Sequence, residues 1–178
     1  MKIGVISDSH ISSGSIHPKK LASRFINKVK GSAAELCEMV RPHFKDVELI
    51  IHAGDFVSYD VITAFEEFAP LEGVAGNMDP YEISSRLPIK TVVKAAGKRI
   101  GVVHGHGPAT GLERKLRREF DDVDCIVFGH THHPFSEAVD RILMFNPGSP
   151  TDQRWAPSRS IGIIYVEKSI RTELISLP

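Results

Sequence analysis

The chain begins with MKIGVI at residues 1–6, followed by SDSH at residues 7–10. The first stretch is mostly apolar and rich in β-branched residues, which is typical of a strand buried within a sheet. The polar stretch that follows indicates a loop. Asp8 and His10 are two positions apart, and in extended backbone this spacing puts both side chains on the same face. The opening therefore predicts a buried strand with two potential ligand groups at its carboxyl end.

Four further predicted strands also end in Asp, Asn or His, with glycine close by. They cover residues 47–52, 71–75, 99–103 and 124–128, and they lead into His52-Ala53-Gly54-Asp55, Gly76-Asn77-Met78-Asp79, His104-Gly105-His106-Gly107 and Gly129-His130-Thr131-His132-His133. Functional groups of open α/β sheets gather beyond the carboxyl ends of the strands, and glycine allows the sharp turns this needs. One Asp-x-His pair is usually only a polar strand end. Five such clusters of oxygen and nitrogen donors in a short chain predict a site for divalent metal ions.

The remaining periodicity predicts helices and hairpins around these strands. Amphipathic helical spacing covers residues 18–44, 58–68 and 110–120. Predicted hairpins join residues 91–94 to 99–103, 136–139 to 142–145, and 160–166 to 170–176. No internal repeat or linker interrupts the pattern. We therefore expect one α/β domain over residues 1–178.

Composition narrows the class of protein. The 22 basic and 22 acidic residues cancel, so no overall field draws the chain to nucleic acid or to an anionic membrane. Cys37 and Cys125 lie among apolar residues, which favours two buried thiols over a disulfide and fits a reducing cytoplasm. No apolar run reaches transmembrane length, and the N-terminal apolar stretch is too short for a signal peptide. We expect a cytoplasmic protein without a membrane partner.

The ordered motifs Asp8-x-His10, Gly54-Asp55, Gly76-Asn77, His104-Gly105 and Gly129-His130-x-His132 resemble the calcineurin-like metallophosphoesterase superfamily. The resemblance is greatest to its small single-domain prokaryotic phosphodiesterase branch, and the motifs extend from residue 6 to residue 149. It implies a four-layer αββα sandwich, in which two mixed β-sheets are flanked by helices. It also implies a dinuclear metal site at the carboxyl ends of the strands.

The family's ligands carry over onto seven residues of this chain. One ion would be held by Asp8, His10, Asp55 and His132, and the other by Asp55, Asn77, His104 and His130, with Asp55 bridging them. Asp55, Asn77 and His104 are also expected to be catalytic. Manganese is the expected metal, while nickel, iron, zinc and magnesium stay open because mixed Asp/His sites accept all of them. The turn at residues 146–149 is expected to be structural.

The implied reaction is hydrolysis of a small phosphate ester, above all a phosphodiester, by attack of a metal-bridging hydroxide. Two alternatives use the same fold. One is a protein-interaction scaffold, as in a retromer subunit that resembles these enzymes, and the other is a nuclease. The complete ligand set favours catalysis over a scaffold. The zero net charge and the absence of an added domain weigh against a nuclease. Homo-oligomer formation and the natural substrate stay open.

One position departs from the family pattern. Many members have His after the Asn, where it is thought to protonate the leaving oxygen, but this chain has Met78. Asp79 keeps the acidic position that follows and is expected to lie beside the metal ligands or the substrate. We therefore expect slow turnover of alkyl esters and better turnover of activated aryl esters. His106 is either a group facing the ligands or substrate, or a loop residue. Arg154 either binds phosphate or is an ordinary surface arginine.

Overall fold

A computed structural model describes residues 1–12 and 32–178. The strands are β1 (Lys2–Ile6), β2 (Leu49–His52), β3 (Leu71–Gly73), β4 (Lys90–Ala95), β5 (Lys98–Val103), β6 (Cys125–Val127), β7 (Phe135–Val139), β8 (Ile142–Asn146), β9 (Arg159–Val166) and β10 (Ile170–Leu177). The helices are α1 (Ala33–Phe44), α2 (Tyr59–Glu66), α3 (Tyr81–Ser84) and α4 (Leu112–Arg117).

The strands form two five-stranded sheets. The first has the order β10-β9-β1-β2-β3 and the second the order β4-β5-β6-β8-β7. Each sheet is mixed: β1, β2 and β3 are parallel in the first, and β5, β6 and β8 are parallel in the second, with antiparallel strands beside them. Because the parallel strands of each sheet run in one direction, their carboxyl ends meet at one edge.

Alternating side chains divide the core into three apolar layers. Ile3 and Val5 of β1 point into a cluster between the two sheets, which also takes Val127 of β6. Ile6 belongs to a second cluster, between the first sheet and helices α1 to α3, and Ile126 to a third, beneath α4. This period of two is what a strand covered on both faces requires. Helices, sheet, sheet and helix thus form the expected four-layer αββα sandwich.

The helices are shorter than the periodicity predicts. Ser32 caps α1 through a capping box with Glu35, and the part of the predicted helix before it falls within residues 13–31, outside the described residues. Ser58 caps α2, as expected. The helix predicted from residue 110 begins only at Leu112, because Gly111 has a left-handed φ of 72°. Helix α3 was not predicted, since its single turn buries only Ile83 and shows no periodicity.

Two expectations from composition can be compared with this structure. Burial raises the pKa of the Cys37 thiol to about 11 and that of the Cys125 thiol to about 12, so both are the buried thiols that were expected. Within the described part of the chain, no helix combines the length and apolar character needed to cross a membrane. The cytoplasmic location and the extent of the single domain stay predictions.

Candidate metal centre

Five strand ends bring the seven expected ligand residues to one edge of the sandwich. The loops after β1 and β2 are joined by a hydrogen bond from the Asp8 N–H to the Gly54 carbonyl (3.0 Å). Two bonds then cross between the sheets. The His130 N–H donates to the Asp8 carboxylate (3.0 Å to Oδ2), and His104 Nδ1 contacts the Ala53 carbonyl at 2.7 Å. The two sheets are therefore locked together at the site.

The first group of side chains consists of Asp8, His10 and His132. His132 Nε2 lies 3.2 Å from Asp8 Oδ1 and 3.1 Å from His10 Nε2. His10 Nε2 also lies 3.5 Å from Oδ2 of Asp55. Two imidazole nitrogens and two carboxylates thus face one small volume.

The second group consists of Asp8, Asp55 and His104. His104 Nε2 lies 3.3 Å from Asp55 Oδ2 and 3.2 Å from the Asn77 amide oxygen, which is itself 2.9 Å from His130 Nδ1. Asp55 Oδ2 therefore stands between His10 and His104, where a bridging ligand would have to be. Asp8 Oδ1 is 4.0 Å from His104 Nε2, so this carboxylate also reaches both groups.

Backbone carbonyls select the tautomer of three histidines. His104 Nδ1 donates to the Ala53 carbonyl, His132 Nδ1 donates to the Asp152 carbonyl (2.9 Å), and His130 Nε2 donates to the Gly107 carbonyl (2.9 Å). A carbonyl only accepts, so the contacting ring nitrogen carries the proton. When the ring is neutral, its other nitrogen presents its lone pair to the cluster, as metal ligation requires. When the ring is protonated, that nitrogen faces the carboxylates as a donor instead. Together with two carboxylates and an amide oxygen, this donor set fits divalent metals.

Five of the seven side chains sit on strained backbone. Asp8, His10, Asp55, His130 and His132 have φ between 45° and 72°, a region that costs a non-glycine residue about 1–3 kcal/mol. The i, i+2 pairs were expected to share a face because their backbone is extended. That reason is wrong, since their backbone is left-handed. The side chains converge because left-handed turns aim them inward. Strain of this kind collects at functional sites.

Two glycines allow the loops to approach closely. A Cβ on Gly76 would overlap the backbone nitrogen and carboxylate of Asp55. A Cβ on Gly129 would overlap the Ser7 hydroxyl and lie 2.7 Å from Asp8 Oδ2. At Gly76 and Gly129 a side chain is thus excluded by contact distance.

The buried carboxylates stay ionised because histidines surround them. Burial alone would raise the pKa of Asp8, but the hydrogen bond from His132 and the charges of His104 and His132 bring it down to about 2. The pKa of Asp55 is also lowered: burial opposes this, and the hydrogen bond and charge of His104 outweigh it. Burial works against the charged form of His104, yet Asp55 and Asp8 raise its pKa. The two carboxylates are therefore anionic at neutral pH.

The two additional candidate residues have different surroundings. The Asp79 carboxylate accepts hydrogen bonds from the backbone N–H groups of Asp55 (3.1 Å), Val57 (2.8 Å) and Gly76 (2.8 Å). It ties the loop after β2 to the loop after β3, and burial raises its pKa. His106 is exposed and accepts a hydrogen bond from Lys115 Nζ (2.8 Å), away from the two groups. Asp79 thus positions the loops that carry the candidate ligands.

The turn at residues 146–149 is hydrogen-bonded to the loops that carry the candidate ligands. The Asn146 amide donates to the Gly129 carbonyl (3.0 Å), and the Ser149 hydroxyl donates to the Asp8 carbonyl (2.7 Å). Thr151 adds a bond from its hydroxyl to the Ser9 carbonyl (2.7 Å). These contacts fit the structural role expected for this turn. The contribution of the Asp152 carbonyl had no sequence signal, because every residue has a carbonyl.

His52 is a buried link between the first two loops. Its Nε2 lies 3.0 Å from the Ser9 hydroxyl, its Nδ1 accepts from the Gly54 N–H, and its ring stacks on Phe56 at 3.6 Å. Burial lowers its pKa to about 3. The neutral imidazole therefore belongs to the folded state.

This low pKa predicts that His52 makes the protein sensitive to acid. Its stabilising contribution is complete above pH 6.5, the ordinary value, and is lost as pH falls toward 3. The loss is at most about 1.4 kcal/mol per pH unit. We expect metal-free His52→Gln to lose less stability on acidification than the wild type, as measured by urea unfolding. Parallel pH profiles for the two proteins would contradict this.

The sequence is similar to a known family and to several of its members. The model of the calcineurin-like phosphoesterase superfamily domain matches residues 1–169. A probable metallophosphoesterase from Methanothermobacter thermautotrophicus is 37% identical over 156 residues, which cover 86% of this chain and 80% of the relative. A phosphodiesterase from Methanocaldococcus jannaschii is 28% identical over 187 residues, which cover 98% of this chain and 99% of the relative.

Solved structures share the architecture. A predicted phosphoesterase from Streptococcus pneumoniae superposes with a TM-score of 0.69 at 22% identity, covering 98% of this chain and 88% of that one. A single mutant of Vps29 from Entamoeba histolytica gives a TM-score of 0.68 at 19% identity and full coverage of both chains. At these identities the likeness shows the fold alone. The match over residues 1–169, together with the clustered ligand groups, shows that the chain belongs to the calcineurin-like phosphoesterase superfamily.

Proposed function

We propose that this metallophosphoesterase is a phosphodiesterase that uses two divalent ions. The observation that carries the proposal is the position of Asp55, whose Oδ2 lies 3.5 Å from His10 Nε2 and 3.3 Å from His104 Nε2. One carboxylate oxygen between two imidazole nitrogens is the arrangement in which two adjacent metal ions would share a ligand. The phosphodiesterase of M. jannaschii supports the choice of a diester substrate.

The proposed ligands divide into two sets. Asp8, His10 and His132 would hold one ion, and Asn77, His104 and His130 the other, with Asp55 shared between them. Two such ions would supply Lewis acidity, which would lower the pKa of a coordinated water and neutralise charge on the phosphoryl group. Manganese is our proposed metal.

The protein's own contribution is to fix these groups before substrate arrives. Asp79 holds the backbone of Asp55 and Gly76, and carbonyls hold the rings of His104 and His132. Preorganised groups of this kind need no rearrangement during the reaction, which is how a site lowers the barrier for charged transition states. The substrate proposed is a small phosphodiester.

The proposal is tested with metal-stripped protein and bis-p-nitrophenyl phosphate. We expect no hydrolysis without metal and hydrolysis that returns with added Mn²⁺; Ni²⁺, Zn²⁺ and Mg²⁺ are compared beside it. Calorimetric titration of the same sample counts the bound ions. Protein that binds two ions yet does not hydrolyse this diester with any of the metals would contradict the proposal, and hydrolysis of p-nitrophenyl phosphate alone would indicate a phosphomonoesterase instead.

Neither alternative function gains support. The likeness to Vps29 concerns the fold, and a scaffold has no need of the complete donor set found here. A nuclease would be expected to carry a basic surface, whereas this chain has zero net charge. A protein that binds metal but does not hydrolyse the ester would favour the scaffold function.

Met78 gives a prediction about the leaving group. Its N–H donates to Asp55 Oδ1 (2.7 Å) and its side chain is 55% exposed, so the position borders the site without supplying a proton. We expect Met78→His to raise kcat for an alkyl diester about tenfold, because a general acid helps most where the leaving group is poor. Hydrolysis of the p-nitrophenyl diester should change little. Met78→Leu is the matched control, and equal rates for the His and Leu variants with both metals bound would contradict the prediction.

A further inference from the structure

A tight turn with an unusual tip lies beside the metal centre. The Ala156 N–H donates to the Gln153 carbonyl (2.9 Å), and the Gln153 side chain donates to the Ala156 carbonyl (2.8 Å). Arg154 has a left-handed φ of 46°. The two bonds close the turn and leave Arg154 and Trp155 at its tip. Ala156 behind them is buried, which anchors the turn to the protein.

The turn is joined directly to the metal centre. The Asp152 carbonyl accepts the hydrogen bond that fixes His132, and the Asp152 N–H donates to the Ser149 hydroxyl (2.9 Å), which in turn donates to the carbonyl of Asp8. Trp155 follows Asp152 by three residues, so their Cα atoms are at most about 11 Å apart. Substrate bound at the metal centre is therefore within reach of the tip.

Trp155 is 95% exposed and is the only tryptophan of the chain. Burying a ring of this size normally stabilises a protein strongly, but an exposed indole makes no such contribution. A polar residue would serve a surface turn as well. A rigid turn that presents such a ring next to a catalytic site offers a flat surface for a second ring.

Arg154 adds a cation beside this ring. Its Nε lies 3.4 Å from Asp152 Oδ2, and among residues 1–12 and 32–178 the guanidinium has no other hydrogen-bond or ion-pair partner. Asp152 Oδ2 also lies 3.6 Å from His132 Nδ1, so one carboxylate oxygen joins the guanidinium to a candidate metal ligand. A guanidinium fork suits the non-bridging oxygens of a phosphate.

We propose that Arg154 and Trp155 form a specificity site that binds a planar aromatic group of the substrate. This group belongs to the arm of the diester that stays on the phosphate when the leaving group departs. The inference rests on the proposed function and names its substrate class: phosphodiesters whose retained arm carries a nucleobase or another aromatic ring. Met78 borders the Asn77 side of the site, whereas the turn is attached through His132 on the other side. The two arms of a bound diester would therefore face different residues, one arm Met78 and the other the turn.

Fluorescence tests binding directly, because all tryptophan emission comes from Trp155. We expect thymidine 5′-monophosphate to quench this emission in Mg²⁺-loaded protein, with excitation where thymine does not absorb. Methyl phosphate, which has the phosphate without the ring, should leave the emission unchanged. Quenching by both ligands equally, or by neither, would overturn the inference.

Kinetics tests the assignment to the retained arm. Thymidine 5′-(p-nitrophenyl phosphate) and methyl p-nitrophenyl phosphate have the same leaving group and differ only in that arm. We expect Trp155→Ala to reduce the preference for the thymidine ester, as the ratio of kcat/KM, about tenfold. Trp155→Phe should keep most of it. Arg154→Ala should lower kcat/KM about threefold for both esters, and Arg154→Lys less.

Matched controls lie on the far strand β10. Arg171→Ala and Leu174→Ala remove an exposed cation and an exposed apolar side chain there, and neither should alter the ratio. An unchanged ratio in Trp155→Ala, or a lower melting temperature with the ratio intact, would assign Trp155 to folding and overturn the inference. Absence of hydrolysis of both esters would instead contradict the proposed phosphodiesterase, while the quenching experiment still decides whether the ring is bound.

Discussion

Replacing Asp55 by Asn is expected to lower the rate of diester hydrolysis by about a thousandfold or more. Asp55 Oδ2 lies between His10 and His104, while its Oδ1 accepts the N–H of Met78. Asn keeps the size and can keep the second bond, but it removes the negative charge that two cations would share. The variant should fold, bind fewer ions in a calorimetric titration, and fail to regain activity at high Mn²⁺.

Asp121→Asn is the control for this substitution. Asp121 is exposed in the turn after α4, and the same change there should leave both ion number and rate unaltered. An Asp55→Asn protein that binds two ions and retains a tenth or more of the wild-type activity would contradict the bridging role. Full binding with a large loss of rate would keep Asp55 in catalysis but assign the bridging position to Asp8, whose carboxylate also reaches both groups.

The strands and the positions of the candidate ligands could be predicted because both depend on short-range sequence signals. Apolar runs mark the strands, and a polar residue beside glycine marks the end of each. Once β1, β2 and β3 are taken as parallel neighbours, Asp8, Asp55 and Asn77 must share an edge. The order of the motifs then limits the family, and the family supplies the pairing of the two sheets.

What escaped prediction depends on contacts that any sequence could make. The hydrogen bond that fixes His132 uses the backbone carbonyl of Asp152, and the identity of a residue says nothing about its carbonyl. The left-handed backbone at Asp8 and His10 is equally hidden, because neither is the glycine that normally signals it. Asp79 was expected as part of a motif, but its three backbone N–H donors come from two separate loops and become visible only once these are folded together.

Gly129→Ala is expected to abolish metal binding and to lower the free energy of unfolding by about 1–3 kcal/mol. The added methyl group would overlap the Ser7 hydroxyl and crowd Asp8 Oδ2, and it would lie 3.1 Å from the Ala53 carbonyl. The Ala53 carbonyl is backbone, and the buried Asp8 carboxylate is held by the Ser7 hydroxyl and the His130 N–H, so none of these atoms can move aside freely. The loop that carries His130 and His132 would have to move outward.

Gly4→Ala separates this effect from ordinary overpacking. A Cβ on Gly4 would lie 2.9 Å from the Phe44 ring, in the middle of β1 and away from the metal centre. The ring can shift, so Gly4→Ala should cost stability while keeping ion number and activity below its melting temperature. Gly129→Ala should lose hydrolysis even at temperatures where circular dichroism shows it folded. If instead the two variants lose stability alike and both bind two ions, the close approach at Gly129 serves packing, and the metal centre tolerates more displacement than its hydrogen bonds suggest.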